Sequence, residues 1–252
     1  MNWFDSDYYH ILYSNRDSKE AEHFINNLVN HLKIKKGSKI LDLACGKGRH
    51  SIYLNKKGFD VTGYDNSEKS IEKAIKFKNN LLRFKRKEMT EDYEGSFDFI
   101  FNLFTSFGYI SENHNINTLK SIDNALVPNG ILVIDFLNIH KVKSELIKEE
   151  IKKISNISFD IKRSINKNFI EKKIKITHNK KTLKFQEKVM NLKLKDFEKY
   201  FSIFNYSLLS VFGDYNLNIF NKKSSERLIM VIKKSQPVKD RDSRRAVTYS
   251  ST

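Results

Sequence analysis

Residues 40–50 read ILDLACGKGRH and decide how the chain is interpreted on either side of them. An apolar run ends in a tight Gly-x-Gly turn at Gly46 and Gly48, and a helix-forming segment follows. Glycine lets the backbone approach a ligand closely, and the first turn of a helix offers free N–H groups. The stretch therefore predicts a buried strand, a ligand-binding turn and a helix in immediate succession.

An acidic residue, Asp65, lies 19 positions after Gly46, at the end of the second predicted strand. A carboxylate at this point of an α/β unit binds the ribose hydroxyls of an adenosine. A dinucleotide of the NAD type needs a third glycine where this chain has Ser51. Asp42, four residues before the first glycine, would repel a pyrophosphate and attract a cationic ligand. S-adenosylmethionine (SAM) carries an ammonium and a sulfonium but no phosphate, so these residues favour SAM over NAD.

Apolar segments of alternating type surround this turn. Predicted strands cover residues 39–44, 59–64, 97–103, 131–136, 206–212 and 227–232, and predicted helices cover 17–32, 46–57, 67–79, 116–126 and 197–204. Strands that alternate with helices form a parallel sheet that is covered on both faces. We therefore predict an α/β fold, with a Rossmann-like, mostly parallel sheet.

The pattern changes after Lys153. Residues 157–165, 168–177 and 182–192 form extended segments with apolar side chains at every second position. They predict an antiparallel β insertion, a lid at about residues 155–192, within a domain that covers residues 1–236. The polar, aperiodic residues 237–252 are predicted to be a disordered tail.

The composition limits the classes of partner. Lysines scattered over the whole chain account for most of the net charge of +16, which indicates a solvated surface more than a nucleic-acid site. No apolar run approaches the ~20 residues of a membrane-spanning helix, and we see no signal peptide. The histidines lack metal-ligand spacing, and Cys45 is the single cysteine. We therefore expect a cytoplasmic protein with a small-molecule partner, no metal and no membrane.

Residues 42–50 resemble the first motif of class I SAM-dependent methyltransferases, often written D-x-x-C-G-x-G-R-H. Residues 61–67 are similar to the second motif, with Asp65 on the ribose, and residues 87–89 are similar to the third. The acidic residue of the third motif holds the adenine amino group; it is Glu88 here, where the family usually has aspartate. Residues 97–104 and 126–132 resemble the fourth strand and the turn before the fifth. The resemblance implies a seven-stranded sheet whose last strand is antiparallel.

Two sets of site residues follow. The predicted cofactor-binding residues are Asp42, Ala44, Cys45, Gly46, Gly48, Arg49, Asp65, Asn66, Ser67, Glu88, Met89, Asn102, Leu103, Phe107, Tyr13 and Arg16. Positions at strand ends and in the covering segments add Tyr9, Tyr109, His140 and Tyr215 as candidates for binding the methyl acceptor.

The segment from Phe104 to Tyr109 and the insertion after the fifth strand resemble those of sugar N-methyltransferases and other small-molecule relatives. The resemblance implies methyl transfer from SAM to a nitrogen, oxygen or carbon of a small molecule. The characteristic motifs of amino-directed and cytosine-5 DNA methyltransferases are absent. Two alternatives stay open: an RNA or protein methyltransferase that uses the basic surface, and a non-catalytic SAM-binding protein.

Overall fold

Strands and helices alternate along the chain in the computed structural model, which describes residues 3–14 and 18–236. The strands are β1 (Lys39–Leu43), β2 (Asp60–Asp65), β3 (Leu82–Arg86), β4 (Phe97–Asn102), β5 (Leu126–Leu137), β6 (Glu149–Ile154), β7 (Ile157–Ile165), β8 (Phe169–His178), β9 (Lys181–Met190), β10 (Tyr206–Phe212) and β11 (Arg227–Lys234). The helices are α1 (Asp7–Leu12), α2 (Ser18–Leu32), α3 (Arg49–Lys56), α4 (Glu68–Ala74), α5 (Glu112–Ala125), α6 (Ile139–Ser144) and α7 (Leu194–Ile203), and a 3-10 turn covers Ile75–Phe77. None of the helices in this described part is long and apolar enough to cross a membrane.

Seven strands form the central sheet in the order β3-β2-β1-β4-β5-β11-β10. Six strands of this sheet run in the same direction and β11 runs opposite to them, which confirms the predicted Rossmann-like, mostly parallel arrangement. The strand order reverses between β1 and β4, and open sheets of this kind bind ligands beyond the carboxyl ends of the strands at such a point. The topology therefore places the glycine turn, which follows β1, beside the end of β4.

Both faces of the sheet are covered by amphipathic helices. Phe24, Ile25 and Leu28 of α2 pack with Leu54 of α3 on one face. Leu119 of α5 and the aromatic side chains of α7 cover the other face. Their three- and four-residue spacing puts these side chains on one side of each helix.

Three predicted boundaries were wrong for local reasons. Helix α3 begins at Arg49 and not at Gly46, because Gly46 and Gly48 both have left-handed φ angles, of +56° and +82°. Helix α5 begins earlier than predicted, because the side chain of Ser111 accepts a hydrogen bond from the His114 amide and caps it. Helix α4 ends at Ala74 and passes into the 3-10 turn.

The β insertion forms a second, antiparallel sheet in the order β6-β7-β8-β9. Phe159, Ile161 and Ile174 on its inner face pack against Trp3 and Leu12 of the N-terminal segment. The sequence predicted three extended segments here and missed the edge strand β6, so the sheet begins at residue 149 and not at about 155. The strand escaped prediction because its sequence, EEIKKI, leaves most side chains exposed and has no alternating apolar pattern.

Candidate active site

The carboxylate of Asp65 lies directly opposite the glycine turn. Its Oδ2 accepts a hydrogen bond from the Gly46 amide at 2.7 Å, and its Oδ1 accepts one from the Ser67 amide at 2.8 Å. Burial raises the pKa of Asp65, and the bonds from Ser67 and Gly46 oppose that rise. Two backbone amides therefore fix the orientation of the side chain that the sequence assigns to the ribose.

Asp42 lies beneath the turn. Its side chain is buried, and its Oδ2 accepts a hydrogen bond from Ser51 Oγ at 2.5 Å. Burial raises the pKa of Asp42 to about 6, although the bond from Ser51 lowers it. Ser51 occupies the position where a dinucleotide site would need its third glycine, and it ties helix α3 to strand β1. The attraction of Asp42 for a cationic ligand stays a prediction.

Close packing against Phe84 explains why positions 48 and 63 are glycine. A Cβ atom on Gly63 of β2 would lie 2.6 Å from the Phe84 ring and 2.9 Å from Cys45 Sγ. A Cβ atom on Gly48 would lie 2.7 Å from the same ring. Burial raises the pKa of the Cys45 thiol well above its usual range, so Cys45 serves as a small packing residue under the turn. Phe84 was missed because one apolar residue in a short strand carries no distinctive signal.

The predicted adenine side is partly exposed. Glu88 lies on the surface, where its carboxylate accepts a hydrogen bond from the Asn66 amide group at 3.2 Å. The nearby Met89 carbonyl accepts a bond from the Tyr93 hydroxyl at 2.5 Å. Asn66, Glu88 and Met89 therefore lie near one another beside Asp65, as the motif resemblance implies. Their contact with adenine stays a prediction.

Asn102 ends β4 at the floor of the crevice. Its Nδ2 donates to the Leu43 carbonyl at 3.1 Å and so joins the carboxyl ends of β4 and β1. Its Oδ1 is buried and has no hydrogen-bond partner in the part of the chain that the structure describes. A buried acceptor without a donor is costly, so this atom is a natural contact for a ligand hydrogen-bond donor.

A second group of side chains covers the other end of the turn. The Arg49 guanidinium lies 4.9 Å above the centroid of the Phe104 ring, and this ring meets the edge of Tyr13 at 6.5 Å. Arg49 also faces Glu20 at 3.7 Å. Tyr13 and Arg49 therefore both lie against the Phe104 ring, and Arg16 lies outside the described residues. The contact of Tyr13 and Arg49 with the cofactor stays a prediction.

Tyr9 and Tyr109 form an aromatic cover with their neighbours. The Phe4 ring contacts both, at centroid distances of 5.4 and 5.2 Å, and Tyr9 lies 5.0 Å from Tyr13. Burial and the charge of Glu187 raise the pKa of Tyr9 to about 12. The same two causes raise the pKa of Tyr109. Both hydroxyls therefore remain protonated at neutral pH.

Glu187 is the main residue of this cover that sequence reasoning missed. Its carboxylate accepts hydrogen bonds from Trp3 Nε1 and from the Tyr13 hydroxyl at 2.9 and 3.1 Å. Lys172 Nζ lies 3.6 Å away and also donates to the Tyr13 hydroxyl at 2.6 Å. A signal was present in β9, where Phe185, Glu187 and Val189 alternate with exposed residues, so an acidic side chain occupies the inner face.

Three predicted site residues lie elsewhere. Phe107 packs in the core against Phe197, because the chain turns inward after β4. His140 is half-buried on α6, where burial and nearby lysines, Lys222 foremost, lower its pKa. The Tyr215 ring stacks on Phe24 at 4.3 Å on the α2 side of the sheet. The structure does not bring any of the three into the aromatic cover.

The remaining predicted residues support the turn. Ser67 caps α4 by accepting a hydrogen bond from the Ser70 amide at 3.1 Å. Leu103 is buried in the core beneath the crevice. Ala44 joins β1 to the glycines with a left-handed φ of +62°. Their roles are therefore to shape the site from below and beside it.

The family model for a methyltransferase domain matches residues 40–130, which include the glycine turn and Asp65. A putative methyltransferase of Bacillus subtilis is 38% identical over 109 residues, 41% of this chain and 44% of that protein. A glycine/sarcosine N-methyltransferase of Aphanothece halophytica is 34% identical over 143 residues, 54% of this chain and 52% of that protein. The chain spans about half the length of these curated relatives.

Solved structures share the whole architecture. A SAM-dependent methyltransferase from Clostridium acetobutylicum superposes with a TM-score of 0.77 at 19% identity, over 91% of this chain and 96% of that one. Residues 40–130 therefore match a methyltransferase domain, and the whole described chain has the fold of a SAM-dependent methyltransferase. The sugar N-methyltransferase KedS8 from Streptoalloteichus gives a TM-score of 0.68 at 15% identity, over 90% of this chain and 93% of that protein. At these identities the superpositions show the fold alone.

The residues of this site fit SAM, the cofactor that the comparisons support. The Asp65 carboxylate, fixed by the Gly46 amide, would accept hydrogen bonds from ribose hydroxyls, and glycines at positions 46 and 48 would let a ligand approach the backbone closely. Beside the same turn, the buried Oδ1 of Asn102 has no hydrogen-bond partner among the described residues and would accept a bond from a ligand N–H or O–H group. The chain offers no third glycine for a pyrophosphate, since Ser51 is engaged with Asp42.

Proposed function

We propose that this chain transfers the methyl group of SAM to a nucleophilic atom of a small molecule. The observation that carries this proposal is the aromatic cover of Phe4, Tyr9, Tyr13 and Tyr109, which contacts Phe104 beside Arg49, the residue directly after the glycine turn. An aromatic surface of this kind beside the cofactor suits a small acceptor and would keep water away from the transfer.

SAM supplies an electrophilic methyl group on a sulfonium, which is already a good leaving group. The chain then has to align the partners and exclude water, which are effects of position more than of acid–base chemistry. Asp65 and the glycine turn hold the cofactor. The neutral hydroxyls of Tyr9 and Tyr109 donate or accept hydrogen bonds and so orient the acceptor.

Nitrogen is the acceptor atom that the likenesses favour. The relatives include glycine/sarcosine N-methyltransferases, and the structural neighbours include a sugar N-methyltransferase. Those names describe those proteins, and they support an amine acceptor for this chain.

The basic surface supports an RNA or protein acceptor less well. Lys173 and Lys175 of the β6–β9 sheet are exposed and flank the buried Ile174, whose side chain packs on the N-terminal segment. Since alternate residues of a strand point to opposite faces, these lysines lie on the side of the sheet away from the aromatic cover. A polymer bound there would not present its atoms to the cofactor turn.

Calorimetry on the purified chain tests the cofactor. We expect Asp65→Ala to weaken SAM binding about 100-fold or more, because a charged hydrogen-bond partner of the ribose is lost. Asp60→Ala is the matched control at the other end of β2, where Asp60 pairs with Arg83 on the surface. Binding of NAD, or equal losses in the two variants, would contradict the proposal.

Transfer of labelled methyl groups tests the acceptor. SAM with a radioactive methyl group is incubated with a panel of small amines, alcohols and sugars, and with total RNA and a protein extract alongside. Label on a small amine is the expected result. Label only on RNA or protein would overturn the small-molecule proposal, and SAM binding without any transfer would favour a non-catalytic role.

A further inference from the structure

The chain is strained where it leaves β4. Phe104 and Thr105 follow one another with left-handed φ angles of +59° and +56°. Such angles are uncommon for residues other than glycine, and for a β-branched residue such as threonine they are outliers. A strained conformation persists only where the surroundings fix it, and strain of this kind concentrates at functional sites.

Asp135 of β5 fixes this turn. Its Oδ2 accepts a hydrogen bond from the Phe104 amide at 2.8 Å, and its carbonyl oxygen accepts one from the Thr105 amide at 2.8 Å. Arg227 completes the arrangement, since its Nε donates to Asp135 Oδ1 at 2.8 Å and its Nη2 donates to Thr105 Oγ1 at 2.8 Å. The Tyr215 hydroxyl donates to Asp135 Oδ2 at 3.1 Å.

The ion pair between Asp135 and Arg227 is buried. The exposed fraction of the Asp135 side chain is 0%, and that of Arg227 is 14%. Burial by itself lowers the pKa of Arg227, but the Asp135 carboxylate raises it above its ordinary value. A buried ion pair adds little net stability over apolar residues of the same volume. Its presence here therefore calls for a reason other than stability.

The strained turn lies between the two halves of the site. The Phe104 ring is held under the Arg49 guanidinium, at 4.9 Å, and against the edge of Tyr13. Arg49 is the first residue of α3, directly after the glycine turn, and Tyr13 belongs to the cover. The backbone of Phe104 and Thr105 thus decides where one wall of the SAM pocket stands.

We propose that Asp135, Arg227 and Thr105 are positioning residues for SAM. They hold the strained turn so that the Phe104 ring and Arg49 are preorganised at the end of the cofactor next to the methyl acceptor. This inference rests on the proposed function, because it assumes that SAM occupies the site. Preorganisation increases affinity because side chains that are already fixed lose little conformational entropy when the ligand binds.

Two substitutions of Thr105 test the inference. Thr105→Gly relieves the strain and removes the bond to Arg227, so we expect SAM binding to weaken about tenfold while Tm stays equal to or above that of the wild type. Thr105→Ser keeps the hydroxyl that accepts from Arg227, and we expect near-wild-type affinity. Lys33→Gly is the matched control, since Lys33 has a φ of +50° after α2, on the surface.

Calorimetry with SAM and thermal unfolding give the two readings. Weaker binding in Thr105→Gly alone, at an undiminished Tm, supports the inference. Wild-type affinity in Thr105→Gly overturns it, and so does a loss of affinity that accompanies a lower Tm, because the residue would then be merely structural. Absence of SAM binding in the wild type is a different result: it removes the proposed function itself, and this inference with it.

Discussion

The cofactor turn and the aromatic cover are built in opposite ways. The bonds that shape the turn join residues close in sequence, such as Asp65 with Gly46, 19 residues apart, and Ser51 with Asp42, 9 apart. The bonds that hold the cover join Trp3 with Glu187, 184 residues apart, and Tyr8 with His178, 170 apart. The consecutive elements β1, α3 and β2 therefore build the glycine turn, whereas the cover forms only when the N-terminal segment meets the β insertion.

The two regions also handle buried charge differently. Within the described part of the chain, Asp42 accepts a hydrogen bond from the Ser51 hydroxyl, Asp65 accepts bonds from the Gly46 and Ser67 amides, and burial raises the pKa of both carboxyl groups. Glu187 of the cover faces the ammonium of Lys172, whose own pKa burial lowers in spite of that carboxylate. The described hydrogen-bond donors to the two aspartates of the turn are thus neutral groups, whereas the carboxylate of the cover is paired with an ammonium. The predictions below test that distinction.

The largest effect is expected at Asp135, which ties the turn after β4 to β11. Asp135→Asn keeps the shape of the side chain but leaves Arg227 without its carboxylate, so we expect a loss of about 3–5 kcal/mol in the free energy of unfolding. Urea unfolding measures it. Asp60→Asn breaks a surface pair with Arg83 and should cost about 0–1 kcal/mol. Equal losses of stability in the two variants would show that the ion pair of Asp135 with Arg227 does not stabilise the turn after β4.

A smaller effect, with a defined pH dependence, is expected at Asp42. Folding raises its pKa from 3.8 to about 6 and so favours the protonated form. The associated stability is complete below about pH 4 and is lost as the pH rises through about 6. Asp42→Asn stays neutral, so we expect it to match the wild type near pH 4 and to exceed it by ~3 kcal/mol at pH 8.

Urea unfolding at both pH values, without ligand, checks this prediction. Asp98→Asn, at the opposite end of β4, is the control for introducing an amide elsewhere in the sheet. A difference between wild type and Asp42→Asn that is the same at pH 4 and pH 8 would refute the assignment of the titration to Asp42.

The smallest and most local effect is expected at Glu187. Glu187→Gln removes the charge that faces Lys172 and weakens the bonds from Trp3 and Tyr13, a loss of about 1–3 kcal/mol within the cover. Trp3 is the only tryptophan in the sequence, so tryptophan fluorescence measures the surroundings of this side chain within the cover. We expect red-shifted emission and stronger quenching by acrylamide, with unchanged affinity for SAM.

Glu171→Gln is the matched control, because Glu171 lies on the outer face of the same sheet and contacts Gln186. An unchanged Trp3 spectrum in Glu187→Gln would show that the cover does not depend on this carboxylate. Loss of SAM binding in that variant would show that the turn and the cover are not separable.

The sequence by itself determined the central sheet and the cofactor turn. A strand, two glycines and an acidic residue at the end of the next strand are local features, and the alternation of apolar segments is visible without knowing what packs on what. The same reasoning named Tyr9, Tyr13 and Tyr109 as site residues, and the structure brings the three rings together around Phe4 and Phe104; their contact with cofactor or acceptor stays a prediction.

Only the tertiary structure decided the composition of the cover and the support behind it. The partners Glu187 with Trp3, and Asp135 with Arg227, are 184 and 92 residues apart, and no spacing rule connects them. Phe107 was assigned to the cofactor because it follows β4, but the direction of the chain after the strained turn sends it into the core. Side-chain direction over such distances depends on how the segments pack, which local patterns do not encode.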